Sequence, residues 1–383
     1  MNAVKQLWEA APFGLSPAEK QAQFSAALAE LTAWHQEWCE PYRNILHALN
    51  FTPSAAQPAE QFPFLPVQLF KTMDLCSVPP EQVARLVTSS GTSGQARSKI
   101  YLDAATADAQ QQALSAIVCN FIGPQRLPML LIDHPDVLRN GRFTARAAGV
   151  AGFSIFSRRR AWALDSELSP DLATIRSFLE EYGNQPFLLF GFTFLVWQLF
   201  EALAQLPGDW DFSQGILLHG GGWKSLKQRA VAPEVFRNQL TKRFGLCRIH
   251  DYYGMAEQTG SIFMACEQGH LHVSTFSELF VRRADDFSLC DIGEEGILQV
   301  QSILPKSYPG HSLLTEDRGV LLGNDGCPCG RRGKYFQVLG RLEFAELRGC
   351  SDTYAAEYKG CHLSNRRCSD LGGDAPSNAT AVF

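Results

Sequence analysis

Short apolar runs that alternate with helix-compatible stretches constrain the fold of this chain more than any other feature. The runs occupy residues 129–132, 187–190, 216–218 and 297–300. Between several of them lie stretches compatible with helices, at residues 171–181 and 232–244. Buried strands connected by covering helices produce this order, and the sequence contains no internal repeat. The sequence therefore predicts an α/β fold with a sheet covered by helices.

The N-terminal region predicts a helix ahead of this sheet. Ser16 can cap the first turn, Pro17 suits the first helical position, and Glu19 completes a capping box. Apolar residues then recur close to helical spacing and predict a stripe that packs on the rest of the protein. These residues are Phe24, Leu28, Leu31 and Trp38.

Composition excludes two broad classes of protein. The chain has 383 residues, of which 45% are hydrophobic, and this suits one large globular domain or two ordinary ones. A formal net charge of -5 argues against a dedicated nucleic-acid surface, and the basic run at residues 158–160 suits a solvated loop. The most apolar segment, residues 187–200, is shorter than a membrane span requires.

The cysteines indicate a reducing compartment. They number 11, an odd count, and most are scattered along the chain rather than spaced as a disulfide framework. The N-terminus lacks a charged segment followed by an apolar one. We therefore expect a cytoplasmic protein with reduced thiols.

A loop rich in hydroxyls and glycines follows the strand-like run at residues 86–88. Its backbone N–H groups, its hydroxyls and two glycines that permit positive φ suit an oxygen-rich anion, so the loop predicts a phosphate site. The spacing of a Walker loop is absent, and a flexible surface loop is the alternative. The candidate phosphate-binding residues are Ser89, Ser90, Gly91, Thr92, Ser93, Gly94 and Lys99.

Two further motifs follow in chain order. Gly220, Gly221 and Gly222 end an apolar run, and the missing side chains would let the backbone approach a flat purine ring. Downstream, Tyr253 and Gly254 precede Glu257 in the string Tyr-Gly-Met-Ala-Glu. Taken alone, this string could equally be a core tyrosine beside a surface glutamate.

In this order, the motifs resemble those of the adenylate-forming superfamily, whose members activate carboxylates with ATP. The resemblance implies that the three glycines bind adenine, that Tyr253 covers the ring, and that Glu257 helps to hold Mg²⁺ against the phosphates. It also implies that Asp317 accepts hydrogen bonds from the ribose and that Arg341, at a hinge, reaches the nucleotide. Glu316 stands where the superfamily has a glycine.

The resemblance sets the expected fold and domain organisation. It implies the adenylate-forming synthetase fold, with a large N-terminal α/β domain over residues 1–340. A short C-terminal segment, residues 341–383, follows the hinge and is truncated relative to the usual small domain.

A set of cysteines and histidines predicts a metal site. Cys327 and Cys329 are one residue apart on a turn, and Cys266, His270 and His272 lie upstream. Three thiols and one histidine supply the tetrahedral ligands that structural zinc prefers, although two reduced thiols and a surface histidine pair would look the same. The phenylacetate-CoA-ligase branch of the superfamily carries a similar arrangement. That resemblance implies His272 as the fourth ligand, with His270 as the alternative.

The tail resembles one branch of the superfamily. The string Glu-Leu-Arg-Gly-Cys-Ser-Asp-Thr at residues 346–353 is similar to the acyl-protein synthetases of bacterial bioluminescence, the ATP-dependent subunit of a fatty acid reductase complex. In that family a fatty acid becomes acyl-AMP, moves to a cysteine near the C-terminus and passes to a reductase partner. Cys350 is the candidate, beside Arg348, which could favour its thiolate, and Cys361 and Cys368 are alternatives.

The sequence thus predicts an ATP-dependent acid–thiol ligase in which Cys350, Glu257 and Arg341 act on the substrates. We expect a fatty acid substrate, an acyl-accepting reductase or carrier partner, ATP and Mg²⁺ as cosubstrates, and structural Zn²⁺. The glycine-interrupted apolar residues 187–193 are the expected acyl pocket. Two alternatives stay open: an acyl- or aryl-CoA ligase related to phenylacetate-CoA ligase, and a catalytically idle nucleotide-binding partner protein.

Overall fold

The computed structural model describes residues 2–88, 97–139, 145–223 and 228–342. These residues form α-helices at α1 (Asn2–Glu9), α2 (Pro17–Trp38), α3 (Glu40–Ala48), α4 (Leu69–Thr72), α5 (Ala104–Ile122), α6 (Asp136–Arg139), α7 (Ala145–Phe153), α8 (Leu172–Tyr182), α9 (Thr193–Gln205) and α10 (Pro233–Phe244). They form strands at β1 (Leu65–Pro66), β2 (Val83–Thr88), β3 (Lys99–Asp103), β4 (Leu127–Ile132), β5 (Ser157–Trp162), β6 (Phe187–Phe192), β7 (Gly215–Gly220), β8 (Arg248–Tyr253), β9 (Phe263–Ala265), β10 (Leu271–His272), β11 (Ser277–Arg282), β12 (Glu295–Ser302), β13 (Ser312–Asn324) and β14 (Lys334–Arg341). The predicted α/β class is confirmed.

One mixed sheet dominates the described residues, in the strand order β11-β12-β13-β14-β10-β9-β8-β7-β6-β4-β5, with β1 beside β13. Strands β4 to β8 are mutually parallel and form what we call the parallel half. Strands β11 to β14 are antiparallel neighbours and form the antiparallel half. The hairpin β9–β10 lies between the halves, and we call it the connecting hairpin. Strands β2 and β3 pair with each other in a separate sheet.

The parallel half is buried on both faces. In β6, Leu188 and Phe190 point into a cluster with α2, α5 and α7, whereas Phe187 and Leu189 point into a cluster with α8, α9 and α10. Strands covered on both faces read as continuous apolar runs, which is why residues 129–132, 187–190 and 216–218 identified β4, β6 and β7 correctly. The predicted helices at residues 171–181 and 232–244 correspond to α8 and α10.

The N-terminal helix also begins where the sequence predicted. The backbone N–H of Glu19 donates to Ser16 Oγ at 3.4 Å, and the N–H of Ser16 donates to Glu19 Oε2 at 2.8 Å, which completes the capping box. Phe24, Leu28 and Leu31 are buried as expected. Trp38 is 47% exposed, so the prediction that the stripe reaches Trp38 was wrong: α2 ends there and the ring packs on Trp34 at the surface.

The predicted boundary after residue 340 falls inside β14, one residue before the strand ends at Arg341. Beyond it, the structure describes only residues 341 and 342, so the proposed C-terminal segment stays a prediction. Within the described ranges, none of the helices has the combination of length and apolarity that crossing a bilayer requires.

Candidate functional site

The glycine segment lies at the carboxyl edge of the parallel half, the edge where open α/β sheets bind ligands. Gly220 ends β7 beside Tyr252 of β8, and a Cβ atom there would lie 2.6 Å from the Tyr252 ring. Gly221 has φ +77°, in the left-handed region, and a Cβ on Gly222 would meet nothing within 4 Å. Gly220 is therefore required by Tyr252, and Gly221 by its positive φ and by the Phe192 ring, 3.0 Å from where a Cβ would stand, while Gly222 leaves backbone that no other described residue covers.

Three predicted nucleotide residues meet although they are far apart in sequence. The Tyr253 hydroxyl donates to Asp317 Oδ2 at 2.7 Å, and Arg341 Nε lies 3.6 Å from Asp317 Oδ1. Asp317 and Arg341 are directly opposite in the β13–β14 pair, and Tyr253 ends β8. Burial raises the pKa of Asp317, while the Tyr253 hydrogen bond and the Arg341 charge oppose this shift. Asp317 thus presents a carboxylate positioned by a phenol and a guanidinium.

Glu257 lies on a short 3-10 turn, Ala256–Gln258, just after Gly254. Burial raises the pKa of Glu257, the hydroxyl of Ser98 lowers it through a hydrogen bond, and the Glu316 charge raises it. Ser98 is itself fully buried and follows the predicted phosphate loop. Glu257 therefore lies beside the point where that loop rejoins the described chain.

Several predicted residues fall outside the described residues or have a different partner. The loop from Ser89 to Gly94 and the candidate Cys350, with its alternatives Cys361 and Cys368, lie outside the described residues. Lys99 is described, and its Nζ lies 2.8 Å from Asp74 Oδ1, which also accepts the Tyr101 hydroxyl at 2.8 Å. These two hydrogen bonds lower the pKa of Asp74. The phosphate role of Lys99 stays a prediction.

Sequence reasoning missed a second polar group at the same sheet edge. His219 Nδ1 lies 3.0 Å from Thr193 Oγ1 and 3.6 Å from Asp251 Oδ1. Burial lowers the pKa of His219 to about 3, so the imidazole is neutral. Thr193 directly follows β6, and His219 of β7 is opposite Asp251 of the neighbouring strand β8. These positions toward the carboxyl ends of adjacent strands were the signal that could have grouped the three residues.

It also missed a contact to Glu316, the residue that replaces the superfamily glycine. Gln68 Nε2 donates to Glu316 Oε1 at 2.6 Å, and the backbone N–H of Leu342 donates to the Glu316 carbonyl at 2.9 Å. Glu316 therefore joins the segment after β1 to the chain that leaves β14.

Much of the expected acyl pocket is core. Phe187 is fully buried, with its ring 5.5 Å from that of Phe178 and 6.4 Å from that of Phe212. Phe192 differs, because its ring lies 3.0 Å from where a Cβ on Gly221 would stand. Phe192 therefore borders the glycine segment, whereas the first residues of β6 do not.

The predicted Cys/His cluster forms. Cys266, His272, Cys327 and Cys329 each present one ligand atom, and these atoms all lie within 4.8 Å of one another. Cys266 Sγ lies 3.9 Å from Cys327 Sγ, and Cys329 Sγ lies 3.3 Å from His272 Nε2. His270 is not part of this set; its Nδ1 lies 3.5 Å from Cys327 Sγ, and its ring stacks on Tyr335 at 5.2 Å.

The cluster fits a tetrahedral zinc ion. Zn–S bonds of about 2.3 Å and Zn–N bonds of about 2.0–2.1 Å place neighbouring ligands about 3.8 Å apart for two sulfurs and about 3.6 Å for sulfur and nitrogen. The observed separations of 3.9 Å and 3.3 Å are close to these edges. Burial lowers the pKa of His272 to about 4, which favours the neutral ligand form, and raises that of Cys327 to about 12. A cation would be needed to hold Cys327 as a thiolate at neutral pH.

The profile of the LuxE acyl-protein synthetase family matches residues 3–358. No curated protein matches the chain by sequence. Among solved structures, 2-hydroxyisobutyryl-CoA ligase with 2-HIB-AMP and CoA in the thioesterification state superposes with a TM-score of 0.67, 16% identity, and coverage of 87% of this chain and 70% of that one. An open conformation of the same ligase gives a TM-score of 0.66 at 15% identity, covering 87% and 77%.

The structural likeness shows the fold. At 15–16% identity it establishes that the described residues adopt the fold of adenylate-forming ligases, as the sequence predicted. The bound molecules named for the ligase belong to that protein.

Proposed function

This chain belongs to the LuxE acyl-protein synthetase family, and on that premise we propose that it activates a fatty acid with ATP and transfers the acyl group to its own Cys350. A reductase or carrier partner would then take up the acyl group. Family and fold support the coarser activity, activation of a carboxylic acid through an acyl-adenylate. The observation that carries the proposal is the convergence of Tyr253, Asp317 and Arg341 at the carboxyl edge of β8.

ATP binding follows from the chemistry of these groups. The backbone at Gly222 offers a surface against which a purine can lie, and the ring of Tyr253 can cover it. The Asp317 carboxylate can accept hydrogen bonds from the ribose hydroxyls. Glu257 offers a carboxylate oxygen to Mg²⁺, which binds few protein carboxylates and completes its shell with phosphate oxygens and water.

The first step needs no covalent group from the protein. An oxygen of the fatty carboxylate attacks the α-phosphorus, the bond from that phosphorus to the bridging oxygen breaks, and pyrophosphate leaves. Arg341, Mg²⁺ and the donors of the loop from Ser89 to Gly94 would stabilise the charge that develops. The mixed anhydride that results is acyl-AMP.

The second step transfers the acyl group to sulfur. The thiol of Cys350 loses its proton, the thiolate attacks the acyl carbonyl carbon, and AMP leaves with the electrons of the broken acyl–oxygen bond. A thioester stays reactive enough for a further transfer to a partner. The wall of the acyl site nearest the glycines is Phe192 and Tyr252, and each buried methylene would add about 0.8 kcal/mol, giving a graded chain-length preference.

We propose that the Cys/His cluster holds structural Zn²⁺ through Cys266, His272, Cys327 and Cys329. All four ligand positions come from the protein, which is typical of a structural rather than a catalytic site. The neighbouring His270 would hydrogen-bond to the Cys327 thiolate and orient it.

A CoA ligase is the second candidate function, because the solved ligases that superpose on this chain include one with CoA bound. It shares the first step and differs in the acceptor, which would be free CoA. A catalytically idle partner protein is the third, and it rests on Glu316 in place of the superfamily glycine.

One experiment separates the three. The full chain is incubated with ATP, Mg²⁺ and labelled fatty acid, and we expect a protein-bound label that hydroxylamine removes and that Cys350→Ser abolishes. Cys361→Ser and Cys368→Ser are the matched controls and should keep the label. Label retained in Cys350→Ser would contradict the assignment of Cys350.

The same preparation tests the alternatives. Acyl-CoA formed on addition of CoA at the rate of adenylate formation would favour the ligase. Failure of every fatty acid tried to exchange pyrophosphate into ATP would favour the idle protein.

A further inference from the structure

The two halves of the sheet are joined by a very short strand. Among the described strands, β10 alone pairs with both β9 and β14, and it does so with only two residues, Leu271 and His272. Leu271 is opposite Ala265 on one side and Phe336 on the other. Strand β9 in turn pairs with β8 through two residues. The backbone connection between the halves is therefore narrow.

The nucleotide residues are divided across this connection. The glycine segment, Tyr253 and Glu257 follow β7 and β8 on the side of the parallel half. Asp317 and Arg341 lie on β13 and β14 in the antiparallel half. The hydrogen bond from Tyr253 to Asp317 crosses between the two sets. A nucleotide held by both sets would be sensitive to how the halves are placed.

The Cys/His cluster also joins the connecting hairpin to the antiparallel half, at the end of β14 opposite to Arg341. Cys266 follows β9 and His272 lies in β10, so two ligands belong to the connecting hairpin. Cys327 and Cys329 lie in the turn between β13 and β14, so the other two belong to the antiparallel half. The β14 strand that leaves this turn runs directly to Arg341.

Side-chain contacts of Arg331 also hold the turn between β13 and β14 in place, but they do not lengthen the two-residue strand pairing at β10. Arg331 donates to Asn120 Oδ1 at 3.0 Å and pairs with Glu267 Oε2 at 3.0 Å. Its guanidinium also lies 3.9 Å from the centre of the Phe121 ring. These contacts attach the turn to α5 and to the connecting hairpin, on the same side as Cys266.

We propose that the Cys/His cluster, when it holds its metal ion, fixes the antiparallel half against the connecting hairpin and thereby positions Asp317 and Arg341 relative to Tyr253 and Glu257. The four cluster residues are then positioning residues for nucleotide binding, although they touch no part of the nucleotide. The inference rests on the proposed function, since it needs both the metal and the nucleotide to bind where proposed.

Because the two binding equilibria are linked, either the zinc affinity or the AMP affinity can be measured to test the coupling. If the metal ion favours the arrangement that binds nucleotide, the nucleotide must raise metal affinity by the same factor. Couplings between sites commonly change affinity by roughly 5- to 150-fold, and we expect about tenfold here.

The experiment uses the full zinc-loaded chain and AMP as the probe, without Mg²⁺, so that adenine, ribose and phosphate contacts are sampled alone. The affinity for zinc is measured by competition with a chromogenic chelator, with and without saturating AMP. The expected result is zinc binding about tenfold tighter with AMP, together with slower amide hydrogen exchange in β14. Cys290→Ser, which alters a cysteine of the antiparallel half outside the cluster, should keep the full coupling.

Tyr253→Phe sharpens the test, because it removes the hydrogen bond between the two sets while leaving the cluster ligands in place. Its zinc affinity without AMP should equal that of the wild type, and its coupling, measured at an AMP concentration that saturates the variant, should be smaller. The inference would be overturned if the wild type binds both zinc and AMP but its zinc affinity is the same with and without AMP. That result would leave the proposed function standing. A wild-type chain that binds no zinc, or no AMP, would overturn the inference together with the corresponding part of the proposed function.

Discussion

The two halves of the sheet contribute to the candidate site in different ways. The parallel half is buried on both faces and offers the backbone at Gly222, after β7, together with residues at and just after the end of β8. The antiparallel half offers charged side chains and two cysteines of the Cys/His cluster on β13, β14 and the turn between them. Neither half holds all of the candidate residues, so the candidate site forms where the two halves meet.

The antiparallel half can present such groups because it is less regular. The β13–β14 pair shifts register between Arg318 and Gly319 and again between Leu321 and Gly323. Bulges of this kind redirect side chains and are frequent beside functional sites. Residues of β14 are mostly half-buried, whereas those of β7 are fully buried.

The largest effect should come from breaking the connection between the halves. Cys266→Ser removes a thiolate ligand, and because structural zinc supplies roughly 10 kcal/mol or more of binding free energy in small metal domains, we expect zinc to be lost and stability to fall by several kcal/mol. Zinc content and thermal unfolding check this. Cys290→Ser is the control, and an unchanged zinc content in Cys266→Ser would refute the ligand assignment.

The core of the parallel half should tolerate little change. Phe190 is fully buried and stacks on Phe153 with the ring centres 4.5 Å apart, so Phe190→Ala should destabilise by about 3–5 kcal/mol. Urea unfolding measures the loss. Leu339→Ala, at a β14 residue that is 42% exposed, should change stability by less than about 0.5 kcal/mol. Equal losses of unfolding free energy in the two variants would contradict the contrast between the fully buried parallel strand β6 and the more exposed strand β14.

Acid should weaken the parallel half through His250. Burial lowers the pKa of His250 to about 4 from 6.5, so between these values the unfolded chain binds a proton that the folded chain does not. The stability from this group is complete above pH 6.5 and is lost as the pH falls toward 4, by about 3 kcal/mol in all.

His250→Asn removes the titrating ring and can keep a donor for the Ala265 carbonyl, which His250 Nδ1 meets at 2.9 Å. Unfolding free energies measured from pH 7 to 4 should therefore fall less steeply in the variant. Parallel curves for the two proteins would show that His250 does not contribute to the acid response.

The smallest of these effects concerns the carboxylate shared between the halves. Asp317→Asn keeps the shape but removes the charge that would accept the ribose hydroxyls, so AMP should bind roughly ten- to a hundredfold more weakly, since such charged hydrogen bonds are worth about 1.5–3 kcal/mol. Calorimetric titration with AMP tests this. Asp291→Asn, at a side chain that is 95% exposed, should bind AMP like the wild type. If both variants bind AMP equally well, Asp317 is not a nucleotide ligand.

The sequence predicted the parts of the fold that depend on local pattern. The apolar runs of β4, β6 and β7 are continuous because both faces of those strands are buried, and the capping box at Ser16 involves residues three positions apart. The Cys/His cluster was predicted from residue types and spacing, with His272 chosen over His270 by resemblance. In the structure His272 lies in β10 with its Nε2 atom 3.3 Å from Cys329 Sγ, whereas His270 precedes that strand and lies outside the four-residue set.

Tertiary structure decided the pairings between distant segments. Lys99 pairs with Asp74, Gln68 with Glu316, and Tyr253 with Asp317. No spacing pattern in the sequence predicts these contacts. The sequence by itself determined the α/β class and the family motifs, because these follow from residue type and near neighbours, and it named the members of the Cys/His cluster with the help of a family resemblance. Which carboxylate a cation or phenol meets depends on strand register, bulges and the order of strands in the sheet, and those are fixed only when the whole core packs.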